Sequence, residues 1–302
     1  MEKFNIDNVV SEEVDMKKYI DELVKELRND NDVYNEIKKL NLTVGEVREN
    51  VAKLSDFMDD YNYCKKCPGI NECNKKIPHT AINIRKEGNF ITSDVEPCKK
   101  IIEQLKFDSH YVIKDFEPNW RTSSLRNIDL SDNRRPAIKE FSKVLNDKSE
   151  RWIYLLGNHK VGKSYLAVTF ANEYIRVKNG KVAVMNCAER IEQLVSLAKS
   201  DKTIFDKQID ILIDLPLLVM DNFGAEYKNE YIRDQIIIPL LSTRANKSKV
   251  TIFTSEFTIE EIQKMYSVGK NGGEIRGKQL GNILRESCES EFDLTGVSVY
   301  KK

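Results

Sequence analysis

The 302-residue sequence predicts an α/β fold, a parallel sheet flanked by helices, preceded by a small, mostly helical domain. Three observations predict it. From Arg151 onward, apolar runs of strand length alternate with helical stretches, the pattern of a parallel sheet covered on both faces. A loop bracketed by glycines, Gly157 to Ser164, lies directly between the first of these runs and an amphipathic helix. Ahead of this core, helical periodicities give way to a cysteine-rich stretch between Tyr61 and Cys98.

Taken in order, residues 11–29 place Met16, Ile20, Leu23, Val24 and Leu27 at helical spacing, with Ser11 as the N-cap. Thr43 and Glu46 have the capping-box spacing for a second helix, and Val44, Val47, Val51, Leu54 and Met58 continue its stripe. Both stripes read as the core of a small helical domain. Residues 101–133 are short runs with polar breaks, including Glu117-Pro118-Asn119, so a linker is expected at 106–135, between a first domain at 1–105 and a core at 136–302. In the core, strands are expected at Trp152–Leu156, Val182–Asn186, Leu217–Asp221, Val250–Thr254 and Glu291–Leu294, with helices at 163–178, 189–199, 230–243 and 259–266.

Composition limits the partners. Lysine plus arginine and aspartate plus glutamate each number 48, so no global charge draws the chain to nucleic acid or an anionic membrane, and any basic surface is local. The N-terminus lacks a basic n-region and an apolar h-region, and nowhere is there an 18-residue apolar run. A cytoplasmic protein without a membrane partner is expected. Its six cysteines are then reduced thiols and not a disulfide scaffold.

Gly157-Asn158-His159-Lys160-Val161-Gly162-Lys163-Ser164 fits GxxxxGK[ST] in full, between a strand and a helix as that motif requires. Gly157 and Gly162 let the backbone bend around phosphates with its N–H groups inward, and the helix N-terminus adds positive character there. Lys163 is expected to reach the β- and γ-phosphates of ATP, and the Ser164 hydroxyl to take a Mg²⁺ position. About sixty residues on, the run Leu217–Asp221 ends in the acidic residue expected to hold Mg²⁺. Asn222, which follows, cannot act as a base, so hydrolysis is slow or relies on Glu226. The strand Thr251–Ser255 ends in the hydroxyls of Thr254 and Ser255, readable as a γ-phosphate sensor or as a satisfied strand-end turn.

Cys64-Lys65-Lys66-Cys67-Pro68-Gly69 is a CxxC followed by a tight turn, half of a tetrahedral Zn²⁺ site. Cys73, His79 and Cys98 follow within thirty-one residues of Cys67, five candidates for four positions. Cys64, Cys67, His79 and Cys98 are the preferred ligands, because a site gains most rigidity by tying the knuckle to a distant segment, with Cys73 as the alternate. A redox CxxC would open a helix in a βαβ context, which is absent here. Cys187 and Cys288 read as buried small apolar residues.

The run Leu218–Glu226, Ile232-Arg233-Asp234 leading to Pro239-Leu240-Leu241 and Arg244, and Thr254-Ser255, in order behind the phosphate loop, resemble the bacterial replicative helicase loaders, the DnaI/DnaC family of AAA+ ATPases. The resemblance covers roughly 115–302, and the cysteine-bearing first domain matches the DnaI-type arrangement. It implies an AAA+ core joined to a zinc-binding domain that grips the hexameric replicative helicase, with ATP and single-stranded DNA switching the loader between bound and released states. Other primosome proteins and ATP-dependent self-association come with it. Carried over by position, Gly157, Gly162, Lys163 and Ser164 bind nucleotide, Asp221 holds Mg²⁺, and Thr254-Ser255 mark sensor 1. Asn222 and Glu256 depart from the pattern, where relatives carry a second acid and an asparagine, so the resemblance implies a weak ATPase. Arg285 is the implied arginine finger toward a neighbouring subunit, with Arg276 as runner-up, and the helical lid is missing or vestigial after residues 291–294. Two other readings share the core: a transposition-helper or phage-borne ATPase, and a nucleotide-gated binding adaptor with little turnover.

Overall fold

The computed structural model describes residues 16–88, 90–128, 133–269 and 272–296, so Ser11, the expected first cap, lies outside the described residues. The chain divides into two compact units between Lys106 and Phe107.

Among the described residues the first unit begins with four helices, α1 (Met16–Asn29), α2 (Asn31–Lys38), α3 (Val44–Glu49) and α4 (Val51–Lys65). Asp30 starts α2 by accepting from the amides of Asp32 and Val33, and Thr43 starts α3 with the full capping box to Glu46. The stripe expected as one helix from Thr43 is two, because Asn50 leaves helical geometry at ψ 18°. Leu27, Val33, Ile37, Val51, Leu54 and Phe57 form the buried core. The stretch expected to be irregular contains an antiparallel hairpin, β1 (Thr80–Glu87) and β2 (Phe90–Pro97), with Thr80 opposite Pro97 and Glu87 opposite Phe90. Ile82 and Ile84, alternating with Asn83 and Arg85, put one face of β1 on the helical core. Helix α5 (Lys99–Asp108) follows.

The second unit is a six-stranded sheet in which every neighbouring pair is parallel, ordered β3-β5-β6-β7-β4-β8. These strands are β3 (Tyr111–Lys114), β4 (Trp152–Leu156), β5 (Val182–Asn186), β6 (Leu217–Asp221), β7 (Val250–Ser255) and β8 (Cys288–Asp293). Residues 106–135, expected as a linker, instead supply edge strand β3 and two short 3₁₀ turns, Pro118–Thr122 and Leu125–Asn127. Tyr111 anchors the edge, its hydroxyl donating to Asn172 Oδ1 at 2.6 Å, and Asp115 takes both ends of the Arg190 guanidinium at 2.5 Å.

Strand residues alternate between two cores. Ile153, Leu155, Val184, Val219 and Ile252 face α6 (Arg135–Leu145) and α7 (Lys163–Lys178), where Phe141 stacks on Phe170 at 4.2 Å. Trp152, Tyr154, Met185, Leu218, Met220 and Phe253 face the opposite layer. That layer holds α8 (Cys187–Ser200), α9 (Lys202–Asp214), α10 (Ile238–Asn246), α11 (Ile259–Met265) and α12 (Gly273–Ser287). Burial on both sides is why the strands read as continuous apolar runs. The expected helix 230–243 is a π-helix, Ile232–Ile237, running into α10. Pro239 has no amide hydrogen to give the preceding turn, and the helix widens before it. In register, Leu156 lies beside Ser255 and Asn186 beside Asp221, so the strands end together at one edge of the sheet.

Candidate functional site

At that edge the loop Gly157–Ser164 leaves β4 and enters α7. Gly162 caps α7 in the left-handed region, at φ 92°, where a side chain would be strained. The Gly157 amide donates to the Ser255 carbonyl at 3.2 Å, pinning the start of the loop to the end of β7. A cleft of about 580 Å³ opens over the loop, lined among others by Gly162, Lys163, Ser164, Asn222 and Glu256. Lys163 is buried, its amine donating to the carbonyls of Gly157 and Asn158 at 2.8 Å each. Burial pulls its pKa down, against the nearby carboxylates of Glu256 and then Asp221.

Asp221 ends β6 with 8% exposure, and burial raises its pKa. Hydrogen bonds from Thr254 and Ser164 oppose the rise, the Thr254 hydroxyl donating at 2.5 Å. The two expected Mg²⁺ oxygens, of Ser164 and Asp221, are thus already side by side. Asn222 turns the chain in the left-handed region, at φ 56°, which asparagine tolerates. Its amide donates to Thr254 Oγ1 at 2.9 Å. The Ser255 hydroxyl donates to the Phe223 carbonyl at 2.7 Å and accepts from the Phe257 amide. Thr254 and Ser255 are therefore engaged inward, where they fix Asp221 and the turn behind it; they do not line the cleft.

Glu226, the expected alternative base, stands outside this cleft. It is 2% exposed, its carboxylate accepting from the Tyr266 hydroxyl and, at 2.8 Å, from the Gly224 amide, and burial raises its pKa. Arg285 and Arg276 lie on the exposed side of α12, bonded to Gln263 and Asn282 and to Gln279 respectively, and neither lines the cleft. The opposite wall is one the sequence reading missed: Glu117, Asn119 and Trp120, from the supposed linker. Trp120 meets Tyr165 edge-on at 5.7 Å, and a tryptophan between polar residues was the available sign that this stretch packs onto something.

In the first unit, Cys64, Cys67 and Cys98 line a cavity of about 360 Å³. Cys73 accepts from the His79 amide at 3.5 Å, and that contact, with the Lys75 amide, lowers its pKa. His79 Nε2 lies 2.9 Å from the Ile70 carbonyl, which only accepts, so Nε2 is the donor in this contact. Among the described residues no three His, Cys, Asp or Glu side chains close on one point, and His79 does not line the cavity of Cys64, Cys67 and Cys98, so the expected set is not assembled. Its donor chemistry fits Zn²⁺: thiols and one imidazole whose outer nitrogen is already satisfied. Cys187 and Cys288 are buried as expected, and burial raises both thiols.

Residues 105–270 match the family described as IstB-like ATP binding protein. The chain belongs to that family. The match spans β3 to β7 and includes the phosphate loop, Asp221 and Glu256 of this IstB-like chain. It is similar to the replicative helicase loader DnaI of Bacillus subtilis (strain 168), 22% identical over 268 residues that cover 85% of each chain. Its fold is similar to a crystal structure of DnaI, at TM-score 0.54 and 23% identity over 61% of this chain and 97% of that one. A putative primosome component from Streptococcus pyogenes serotype M3 is also similar, at TM-score 0.52 and 19% identity over 65% and 98%. Among the described residues no helix is long and apolar enough to cross a membrane.

Proposed function

We propose that this IstB-like protein is an ATP-dependent loader that binds the replicative DNA helicase through its first unit and delivers it onto single-stranded DNA, in company with other primosome proteins. One observation carries the reading. The 268-residue similarity to a replicative helicase loader is longer than the second unit alone, so it takes in the cysteine-bearing unit as well as the ATPase core. A transposition helper built on the same core leaves that first unit without a role.

The core's residues divide the work. ATP supplies a triphosphate whose cleavage resets the protein. Lys163 exchanges two carbonyl partners for phosphate oxygens, which relieves the cost of its burial. Ser164 and Asp221 offer a hydroxyl and a carboxylate to Mg²⁺, and a divalent cation there favours the ionised form that burial opposes. Thr254 holds Asp221 in place. Arg285, exposed on α12, exchanges its Gln263 and Asn282 partners for the nucleotide of a neighbouring subunit on self-association, and turnover is slow without it. In the first unit Cys64, Cys67 and Cys98, with His79 or Cys73, hold a structural Zn²⁺.

Mixing the purified protein with the hexameric helicase and measuring complex mass under ATP and under ADP tests the reading. A complex whose stability differs between the nucleotides is the expected result. No complex under either overturns it, and steady-state phosphate release of zero would leave a nucleotide-gated adaptor.

A further inference from the structure

A hydrolytic P-loop site gains from a carboxylate that positions the attacking water and takes its proton, and the two positions nearest Asp221 in sequence where one is expected do not serve. Asn222 is an amide, and Glu226 is locked under Tyr266 away from the cleft. The sheet order supplies a third. Because β7 runs between β4 and β6, whatever follows β7 emerges between the phosphate loop and Asp221. That residue is Glu256.

Glu256 lines the same cleft as Lys163, Ser164 and Asn222, and it acts on the Lys163 charge more strongly than Asp221 does. His159, on the phosphate loop, places Nδ1 3.3 Å from Glu256 Oε1, which sets the carboxylate beside the loop at the mouth of the cleft. Glu117, the other carboxylate on the cleft wall, follows edge strand β3 and also lines a second hollow with Ser164, Asp221 and Asn222, on the side where Mg²⁺ is expected. Half-exposed, Glu256 has room to turn toward a ligand, unlike Glu226.

We infer that Glu256 is the carboxylate that orients the attacking water and accepts its proton. The water oxygen bonds to the γ-phosphorus as the bond from that phosphorus to the bridging oxygen breaks. The bridging electron pair leaves with ADP, and the water's proton passes through Glu256 to phosphate or solvent. This inference rests on the nucleotide site proposed above, and its test separates the two.

Wild type, Glu256→Gln and Glu256→Ala are compared by calorimetry with Mg-ATP and Mg-ADP and by phosphate release. Loss of the base lowers turnover by roughly a hundredfold or more. Loss of a negative charge facing the γ-phosphate tightens ATP by roughly threefold to tenfold while leaving ADP unchanged. A residue that merely supports the fold would weaken both nucleotides together. If wild type gives no heat with Mg-ATP, the nucleotide site itself falls. If wild type binds ATP but releases no phosphate, or if the variants turn over as wild type does or bind ATP no more tightly, the assignment of Glu256 falls and the nucleotide site stands.

Discussion

Replacing Tyr266 by phenylalanine removes one of the two hydrogen bonds that hold the Glu226 carboxylate and changes almost nothing else, because the ring is fully buried. A hydrogen bond to a buried charged group contributes about 1.5–3 kcal/mol. In a unit of this size each kcal/mol moves the melting temperature by about 2–4 °C, so a fall of roughly 3–12 °C is expected near neutral pH. The pH dependence gives a sharper check. Burial already raises the folded-state pKa of Glu226 above its ordinary value, so its ionisation costs stability in full above the folded pKa. That cost fades as pH falls through the folded pKa toward the unfolded one. Without the phenol the folded pKa climbs further, so the variant's deficit is largest at about pH 8 and shrinks on acidification. Both tryptophans, Trp120 and Trp152, lie in the second unit, so their fluorescence during heating reports this unit alone. A deficit under about 1 °C, or one that does not change with pH, would refute the Glu226–Tyr266 pairing.

Lys163→Ala removes the charge meant for the phosphates; about 3 kcal/mol, or roughly a hundredfold, of Mg-ATP affinity should go. Calorimetry reads it, and wild-type affinity would contradict the role. Arg244→Met strands the carbonyls of Leu212, Ile213, Leu215 and Val250, which the buried guanidinium now caps. Part of that loss is offset by removing a buried charge, leaving about 3–5 kcal/mol of destabilisation in urea unfolding; a midpoint unchanged from wild type would sink this account. Metal analysis should find about one zinc per chain. Cys67→Ser should lower that content while leaving the heat of Mg-ATP binding as it was, and zinc-free wild-type protein would refute the proposed ligand set.

The core strands were legible because both faces of the sheet are covered, which turns each strand into an unbroken apolar run such as Leu217–Met220. The loop Gly157–Ser164 was legible as a strand-to-helix turn because Gly157 and Gly162 bracket it, and Gly162 takes the left-handed geometry the turn requires. Helix α12 was not, since Gly273, Gly277 and Gly281 argue against a helix by propensity. Spaced four apart, they make one smooth face, and a methyl group on Gly277 would sit 2.2 Å from Ser267 Oγ and 2.7 Å from the Gln263 carbonyl. Close packing overrode propensity there. The edge strand β3 escaped notice because four residues are too few to show a period, and its anchors, Asn172 and Arg190, lie far along the chain. The role of Glu226 was misjudged for a similar reason: proximity to Asp221 in sequence says nothing about Tyr266, forty residues on, which claims its carboxylate.

The position of β7 has a mechanical consequence. β7 lies between β4, which leads into the phosphate loop, and β6, which ends in Asp221. That intervening strand is fastened at its other end, where Arg244 bonds the Val250 carbonyl and the Thr251 hydroxyl. A molecule seated in the cleft would therefore rest over the ends of β4, β7 and β6, with the buried Arg244 holding the middle strand at its opposite end.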